Sequence, residues 1–340
     1  MLIPRKKVIP FCPRPFPPRP LHKKAFAKPL EKANSLLEKY RLALMQAPSP
    51  QRLFSQLYTL EAIASMASQK VHITLEKFLT AQTPSPLVTH YKDALLWACK
   101  NSSKGALTKK FLCTIHKKAK NSTKSKSDLG VYRNRQNWIG PEGCEIHKAY
   151  FYPVDKAQVE GLMKQLFAYA KKKEREPLLQ LALMFAQFLI IHPFMDGNGR
   201  VARILIPVFL YQKKMIPTPL LFISRYLYRH RVKYFQKLFN NTDNHQWEPW
   251  ILFFLKTLTV EMNRALRQFK QIVALYDTMR QKLPEMKVEG LFFLFEHPIF
   301  SSEHAFTDQH LKKLIKLRFL RKKGGTYIFS PLLRVLKRMY

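Results

Sequence analysis

A base, an acid, a glycine turn and two arginines are packed into one short run, Ile191-His192-Pro193-Phe194-Met195-Asp196-Gly197-Asn198-Gly199-Arg200-Val201-Ala202-Arg203. His192 has an ordinary pKa near neutrality, so it can take a proton from a hydroxyl nucleophile. Asp196 can hold a divalent cation whose coordination is completed by phosphate oxygens, the usual way magnesium is bound. Gly197 and Gly199 allow backbone N–H groups to approach an anion closely. Arg200 and Arg203, three residues apart, share the first turn of any following helix and face the same way. Together these types and spacings suit a nucleoside triphosphate.

The flanking sequence says what must position this run. Leu178 to Ile191 is an apolar helical stretch and Arg200 to Tyr211 is another, so the motif is a loop opening onto a helix N-terminus, where the helix dipole also favours an anion. Upstream, Ala33, Leu36, Leu37, Tyr40 and Leu44 recur at helical spacing from about Lys32. Further helices are predicted over 53–68, from Thr74 to about Pro84, over 87–99, over 108–118 and over 158–170. Gly130 to Pro141 is rich in β-formers and turn residues, and with Tyr150-Phe151-Tyr152-Pro153 it reads as a hairpin. From Ile204 to Leu258 the chain is largely helical and dense in aromatics. The last block reads as helix, helix, then a hairpin turning at Gly324-Gly325, the order of a small winged helix. The fold class is mainly α, divided as a Pro-rich basic arm (1–30), an N-terminal helical domain (31–86), a catalytic core (87–285) and a winged-helix-like α+β domain (286–340).

Composition is consistent with this and adds one oddity. The chain has 340 residues with 46% apolar content, enough for a sizeable core. Four cysteines without Cys-x-x-Cys spacing point to reduced thiols and a cytoplasmic setting. No apolar stretch has the length of a membrane span, and prolines interrupt any signal-peptide core at the N-terminus. The oddity is a net charge of +37, from 59 basic against 22 acidic residues. Such a field favours polyanionic partners: nucleic acid, acidic protein, anionic lipid or the triphosphate. Residues 1–29 carry no acid and many prolines, and read as an extended arm that wraps or dangles. Residues 100–126 form a lysine-rich helix and polar loop.

The run fits the pattern His-Pro-Phe-x-Asp-Gly-Asn-Gly-Arg-x-x-Arg, and in it the chain closely resembles the Fic family of AMP transferases. The resemblance implies transfer of AMP from ATP to a Ser, Thr or Tyr hydroxyl of a target protein. In that reading His192 is the base, Asp196 holds Mg2+, and Gly197, Asn198 and Gly199 line the anion hole. Arg200 and Arg203 neutralise the pyrophosphate, while Pro193 and Phe194 are structural. The likeness extends to the flap, where Gln136, Asn137, Trp138 and Ile139 would dock an extended target segment by β-augmentation. It extends also to 217–226, which implies adenosine walls at Tyr226 and, further on, Tyr234; core packing is the equal alternative for both.

In the N-terminal helices, Ser65 and Gln69 fall where relatives carry an inhibitory Ser-x-x-x-Glu whose glutamate pairs with the second motif arginine, here Arg203. Gln69 cannot form that ion pair, which implies weak or absent autoinhibition. Two alternatives stand beside this reading: a transferase of another nucleotide or phosphate group in the same fold, and a DNA-binding regulator acting through the basic C-terminal block. The target, the oligomeric state (a homodimer included) and delivery into another cell stay open.

Overall fold

The computed structural model describes residues 9–18, 21–102, 107–120, 126–141, 143–244, 246–301 and 306–337. The polar segment 121–125, at the end of the lysine-rich region, lies outside them. The elements that matter here are α1 (Ala27–Gln46), α2 (Pro50–Leu53), α3 (Gln56–Ala67), α4 (Leu75–Thr80), α5 (Pro86–Asn101), α6 (Lys109–Lys120), α7 (Val159–Lys171), α8 (Pro177–Ile191), α9 (Asn198–Gln212), α10 (Ser224–Arg229), α11 (Arg231–Asn244) and α12 (Trp247–Lys282).

The centre is α8, apolar on all sides as a helix enclosed by others must be. Every residue from Gln180 to Ile191 is buried. Gln180 Nε2 is satisfied there: it donates to the carbonyls of Tyr169 (2.6 Å) and Lys172 (3.1 Å), capping α7. The 36-residue α12 packs along α1, α8, α10 and α11. Trp250 of α12 donates its indole N–H to Ala182 O of α8 (2.9 Å), and Phe269 stacks on Phe54 with centroids 4.2 Å apart. Tyr40 of α1 reaches Leu220 O at 2.6 Å, tying the N-terminal helices to the segment after α9.

The basic arm wraps. Phe11 donates its N–H to Tyr152 O (3.0 Å), and the Phe16 ring meets Tyr169 edge-on at 4.9 Å. The helix expected from Lys32 starts at Ala27, because Phe26 and Leu30 are buried and extend the apolar stripe backward. A boundary at residue 30 therefore falls inside α1.

The C-terminal block comprises α13 (Val288–Glu296), β1 (Ile299–Ser301), α14 (Asp308–Lys316), β2 (Leu320–Lys323), β3 (Thr326–Phe329) and α15 (Ser330–Lys337). Its antiparallel sheet has the order β1-β3-β2, and the β2–β3 turn uses Gly324 at φ +58°. β1 and α15 go beyond what the sequence pattern announces. The block shares its core with the rest of the chain: Leu332, Leu333 and Leu336 are buried on α15, which packs on α12. Arg52 of α2 adds ion pairs to Glu289 (2.6 Å) and Glu296 (3.0 Å). Among the described residues no helix is long and apolar enough to cross a membrane, and all four cysteines are free thiols.

Candidate active site

α8 ends at His192, whose backbone turns left-handed (φ 53°, ψ 59°) while its N–H still reaches Phe188 O at 3.0 Å. A non-glycine residue in that region costs about 1 kcal/mol or more and persists only where neighbours fix it. Here Arg133 fixes it. Its N–H donates to Pro193 O (2.8 Å), its Nε to His192 O (2.9 Å), and its Nη2 to Ile191 O (3.4 Å) and to Val154 O. A buried guanidinium thus satisfies carbonyls that the end of α8 leaves open, where a cation is also favoured by the helix dipole. Burial lowers the Arg133 pKa to about 10, still well above neutrality.

This turn sets the His192 ring. Its Nδ1 lies 3.1 Å from Leu189 O, so Nδ1 carries the hydrogen and Nε2 keeps its lone pair. Burial pushes the imidazole pKa down to about 4, more strongly than the Leu189 carbonyl raises it, and the ring is neutral at physiological pH. The arrangement is that of a proton acceptor.

The following loop is folded onto its own backbone. Asn198 Oδ1 accepts the Phe194 N–H (2.9 Å) and Nδ2 donates to Phe194 O (2.8 Å), an amide standing in for a backbone pair. Phe194 is fully buried, face to face with His116 at 3.9 Å and 2° and edge-on to Tyr132 at 5.5 Å. His116 of α6 is the support beneath the turn. Gly130 N–H donates to its Nδ1 (3.0 Å), which leaves Nε2–H to donate to Asp196 O at 2.9 Å.

Gly197 then takes φ +85°, where a side chain would be strained, and a Cβ there would stand 3.3 Å from the His116 ring and 3.4 Å from Arg200 Nη2. Gly199 is helical. Its glycine is explained by space, since a Cβ would lie 3.1 Å from Arg203 Nη1.

The charges are ordered around these glycines. Asp196 Oδ1 accepts the Gly197 N–H (2.6 Å), and Oδ2 pairs with Arg200 Nη2 at 2.9 Å and with Lys120 Nζ at 3.7 Å. Burial alone would raise the Asp196 carboxyl, but Arg200 and Lys120 outweigh it and hold the pKa below the ordinary aspartate value. Arg200 is almost fully buried and also donates to Ala119 O at 3.2 Å. Arg203 reaches across to α3, where its Nε (3.0 Å) and Nη2 (2.7 Å) both donate to Ser65 Oγ. One turn back on α3, buried Glu61 accepts from Ser224 N–H (3.2 Å), from the Ser224 hydroxyl and from Tyr91 OH (3.2 Å). Burial pushes the Glu61 carboxyl up to about 7, against the pull of Ser224 and Arg203.

The structure brings His192, Asp196, Gly197, Gly199, Arg200 and Arg203 together as the spacing implies, and Ser65 joins them. The loop is buried except at Asp196 and, in part, at His192, Met195 and Gly199. The Asn198 side chain braces the loop through the Phe194 backbone. Tyr226 and Tyr234 are buried among His230, Trp250 and Phe253, so both rings are core packing, with Tyr234 near enough to Arg203 to feel its charge. Gln69 is exposed beyond the end of α3.

Among the described residues the flap pairs once, at the antiparallel bridge Ile139↔Phe151. Asn137 turns inward to donate to Phe194 O (3.0 Å), Gln136 donates to Pro153 O (3.1 Å), and Trp138, 40% exposed, donates to Cys144 O (3.0 Å). His116, Lys120, Arg133 and Glu61 escape a reading of the sequence alone; each lies far from the motif in the chain and reaches it only through the fold.

The family model described as Fic/DOC family matches residues 106–210, which span His116, Arg133 and the whole 191–203 run. A Fic family protein from Desulfovibrio desulfuricans G20 superposes with a TM-score of 0.62 at 16% identity, over 92% of this chain and 98% of that one. A Fic domain containing signaling protein from Bacteroides thetaiotaomicron VPI-5482 gives 0.55 at 15% identity, over 71% of this chain and 97% of that one. Fic-1 from C. elegans gives 0.52 at 15% identity, over 75% of this chain and 74% of that one. Residues 106–210 are thus a Fic/DOC family domain, and the chain folds as Fic family proteins do.

Proposed function

We propose that the protein transfers AMP from ATP to a hydroxyl of a target protein. The observation that carries this reading is the His192 tautomer: Nδ1–H is tied to Leu189 O, and Nε2 is the free base beside a turn lined by Arg200 and Arg203. His192 Nε2 takes the proton of the attacking hydroxyl. The hydroxyl oxygen forms a bond to the α-phosphorus, the α–β bridging P–O bond breaks, and pyrophosphate leaves. Such chemistry needs mostly positioning and charge neutralisation. Arg200 and Arg203 face the glycine turn and offset the charge gathering on the leaving group.

Mg2+ fits the donor set. Asp196 is a single carboxylate, 55% exposed at its side chain, and magnesium is usually held by one or two carboxylates, waters and the substrate's own phosphates. Bound there, the ion would offset phosphate charge. Among the described residues no cluster of three or more His, Cys, Asp or Glu offers an all-protein site, which agrees with an ion carried in by the nucleotide.

Restraint of this site by α3 is weak in our reading. Arg203 is held by the neutral Ser65 hydroxyl, and Gln69 carries no charge to compete with a phosphate. The test is intact-mass spectrometry after incubation with Mg2+ and each of ATP, UTP, GTP and CTP, with His192→Ala alongside. An AMP-sized adduct on the wild-type chain alone supports the proposal. A UMP or phosphate adduct in its place moves the reading to another transfer in the same fold, and no adduct from a folded, nucleotide-binding protein argues against self-modification without a partner.

A further inference from the structure

The basic charge is not spread evenly, and one part of it has a shape. Residues 309–337 contain nine Lys/Arg and no Asp or Glu. On α14, Lys312 and Lys316 are exposed one turn apart, on the side opposite the buried Leu311 and Leu314. The chain then reverses at Arg318, exposed in a left-handed turn (φ 60°), and enters β2, where Arg321, Lys322 and Lys323 are all exposed. At the hairpin tip, a Cβ added to Gly324 or Gly325 would meet nothing within 4 Å, so the turn stands clear of the rest of the molecule. Three acids border the patch and leave it strongly basic: Asp308 begins α14, Glu285 pairs with Lys313 at 2.6 Å, and Glu76 pairs with Lys337 near Arg321 and Lys323. Lys322 also sits 5.4 Å from the centre of the Tyr327 ring, which holds it against the sheet.

From this we infer that α14 and the β2–β3 hairpin form a binding surface for duplex DNA, gripping its phosphate backbone. Helix cations one turn apart lie about 6 Å from each other, close to the spacing of successive phosphates along one strand. A helix and an adjacent projecting hairpin give two contact lines, which suits a rod-shaped polyanion that presents phosphates on both sides of a groove. A lipid surface is a poorer match: Ile315, 38% exposed, is the one large apolar side chain exposed on this surface among the described residues, and no aromatic belt accompanies it. The surface lies in a different part of the chain from His192 and does not depend on the proposed transfer activity.

The experiment is a fluorescence-anisotropy titration of two unrelated 20-base-pair duplexes with the full chain, from 50 to 200 mM salt. Wild type is compared with K312A/K316A/K322A/K323A and with a charge-matched control, K24A/K28A/K32A/K39A, whose lysines are also exposed. Thermal unfolding of each variant checks folding. The expected result is that the first variant weakens binding to both duplexes alike and makes the log–log salt dependence shallower by about 3 to 4, roughly 0.9 for each phosphate no longer neutralised. The control should keep the wild-type slope, and His192→Ala should bind as wild type does. Equal losses in both quadruple variants would mean net charge alone and overturn the assignment, as would an unchanged slope in the first. Tighter binding to poly-glutamate or to phosphatidylserine vesicles than to duplex, lost in the same variant, would overturn it in favour of an acidic protein or a membrane.

Discussion

His116→Phe separates two things that the imidazole does at once. Phenylalanine keeps a flat ring against Phe194, where the native stack at 3.9 Å contributes about 1 kcal/mol. It removes both hydrogen bonds, Nε2–H to Asp196 O and Gly130 N–H to Nδ1. A polar group left unpaired by such a change costs about 1–3 kcal/mol. Gly130 and Asp196 keep some access to water, so the low end applies to each and the sum is about 2–3 kcal/mol. The loss falls on the two backbone segments that hold Gly197 at φ +85°. Urea unfolding should therefore show His116→Phe destabilised by that amount, and isothermal calorimetry should show ATP binding weakened about tenfold, since 1.4 kcal/mol of looser loop geometry suffices for it. His116→Ala, which also loses the stack and opens a cavity, should cost about 3–5 kcal/mol. A His116→Phe variant within 0.5 kcal/mol of wild type that binds ATP normally would refute the reasoning, because the hydrogen bonds would then contribute nothing to the turn.

Other perturbations probe the remaining parts. Arg133→Met keeps the stem and removes the guanidinium from the Ile191 and His192 carbonyls at the end of α8 and from Val154 O; it should cost about 3 kcal/mol or more in urea unfolding and eliminate self-modification. Gly199→Ala puts a methyl 3.1 Å from Arg203 Nη1, so ATP affinity should drop severalfold while the melting temperature hardly moves, since Ala suits a helix. Glu61 has a raised pKa, about 7 against 4.5 when unfolded. Its contribution is fully present below pH 4.5 and is lost as pH rises through 7, a loss of about 3 kcal/mol in all. Glu61→Gln should flatten that part of the stability–pH profile; a profile as steep as wild type would mean the carboxyl does not titrate there. Gln69→Glu should leave stability within about 0.5 kcal/mol, as an exposed substitution usually does. If a carboxylate at this position can reach Arg203, the same variant should lower the yield of self-modification, and an unchanged yield would argue that residue 69 stays outside the site.

The run 191–203 is readable in the sequence because its chemistry is contiguous in the chain. What lies around it is not, and the reasons are physical. Flap residues 136–139 have strand-forming types, yet among the described residues they pair only once. Asn137 is held to Phe194, and the neighbouring Arg133 is bound to the carbonyls of the turn at His192, so this stretch is fixed to the turn more than to a partner strand. Resemblance implies ligand walls at Tyr226 and Tyr234 as readily as core packing, and in the fold both rings meet Phe253 of α12, a contact between separate helices that no local pattern announces. His116 and Arg133 carry no local signal: a lone histidine on an amphipathic lysine-rich helix and one arginine in a loop are ordinary until the fold closes over them.

The glycines show where the sequence is right about the residue and incomplete about the reason. Both are expected at the approach of an anion. In the structure each also borders a guanidinium, Gly197 that of Arg200 and Gly199 that of Arg203. The spacing Gly-x-Gly-Arg-x-x-Arg therefore works as one device. Two missing side chains open the room into which the two arginines fold back over the first turn of α9. Both guanidinium groups thus lie beside the first turn of α9, the end at which the helix dipole favours an anion. Adding a methyl at either glycine moves a charge, so the glycines are part of the electrostatics as much as of the backbone.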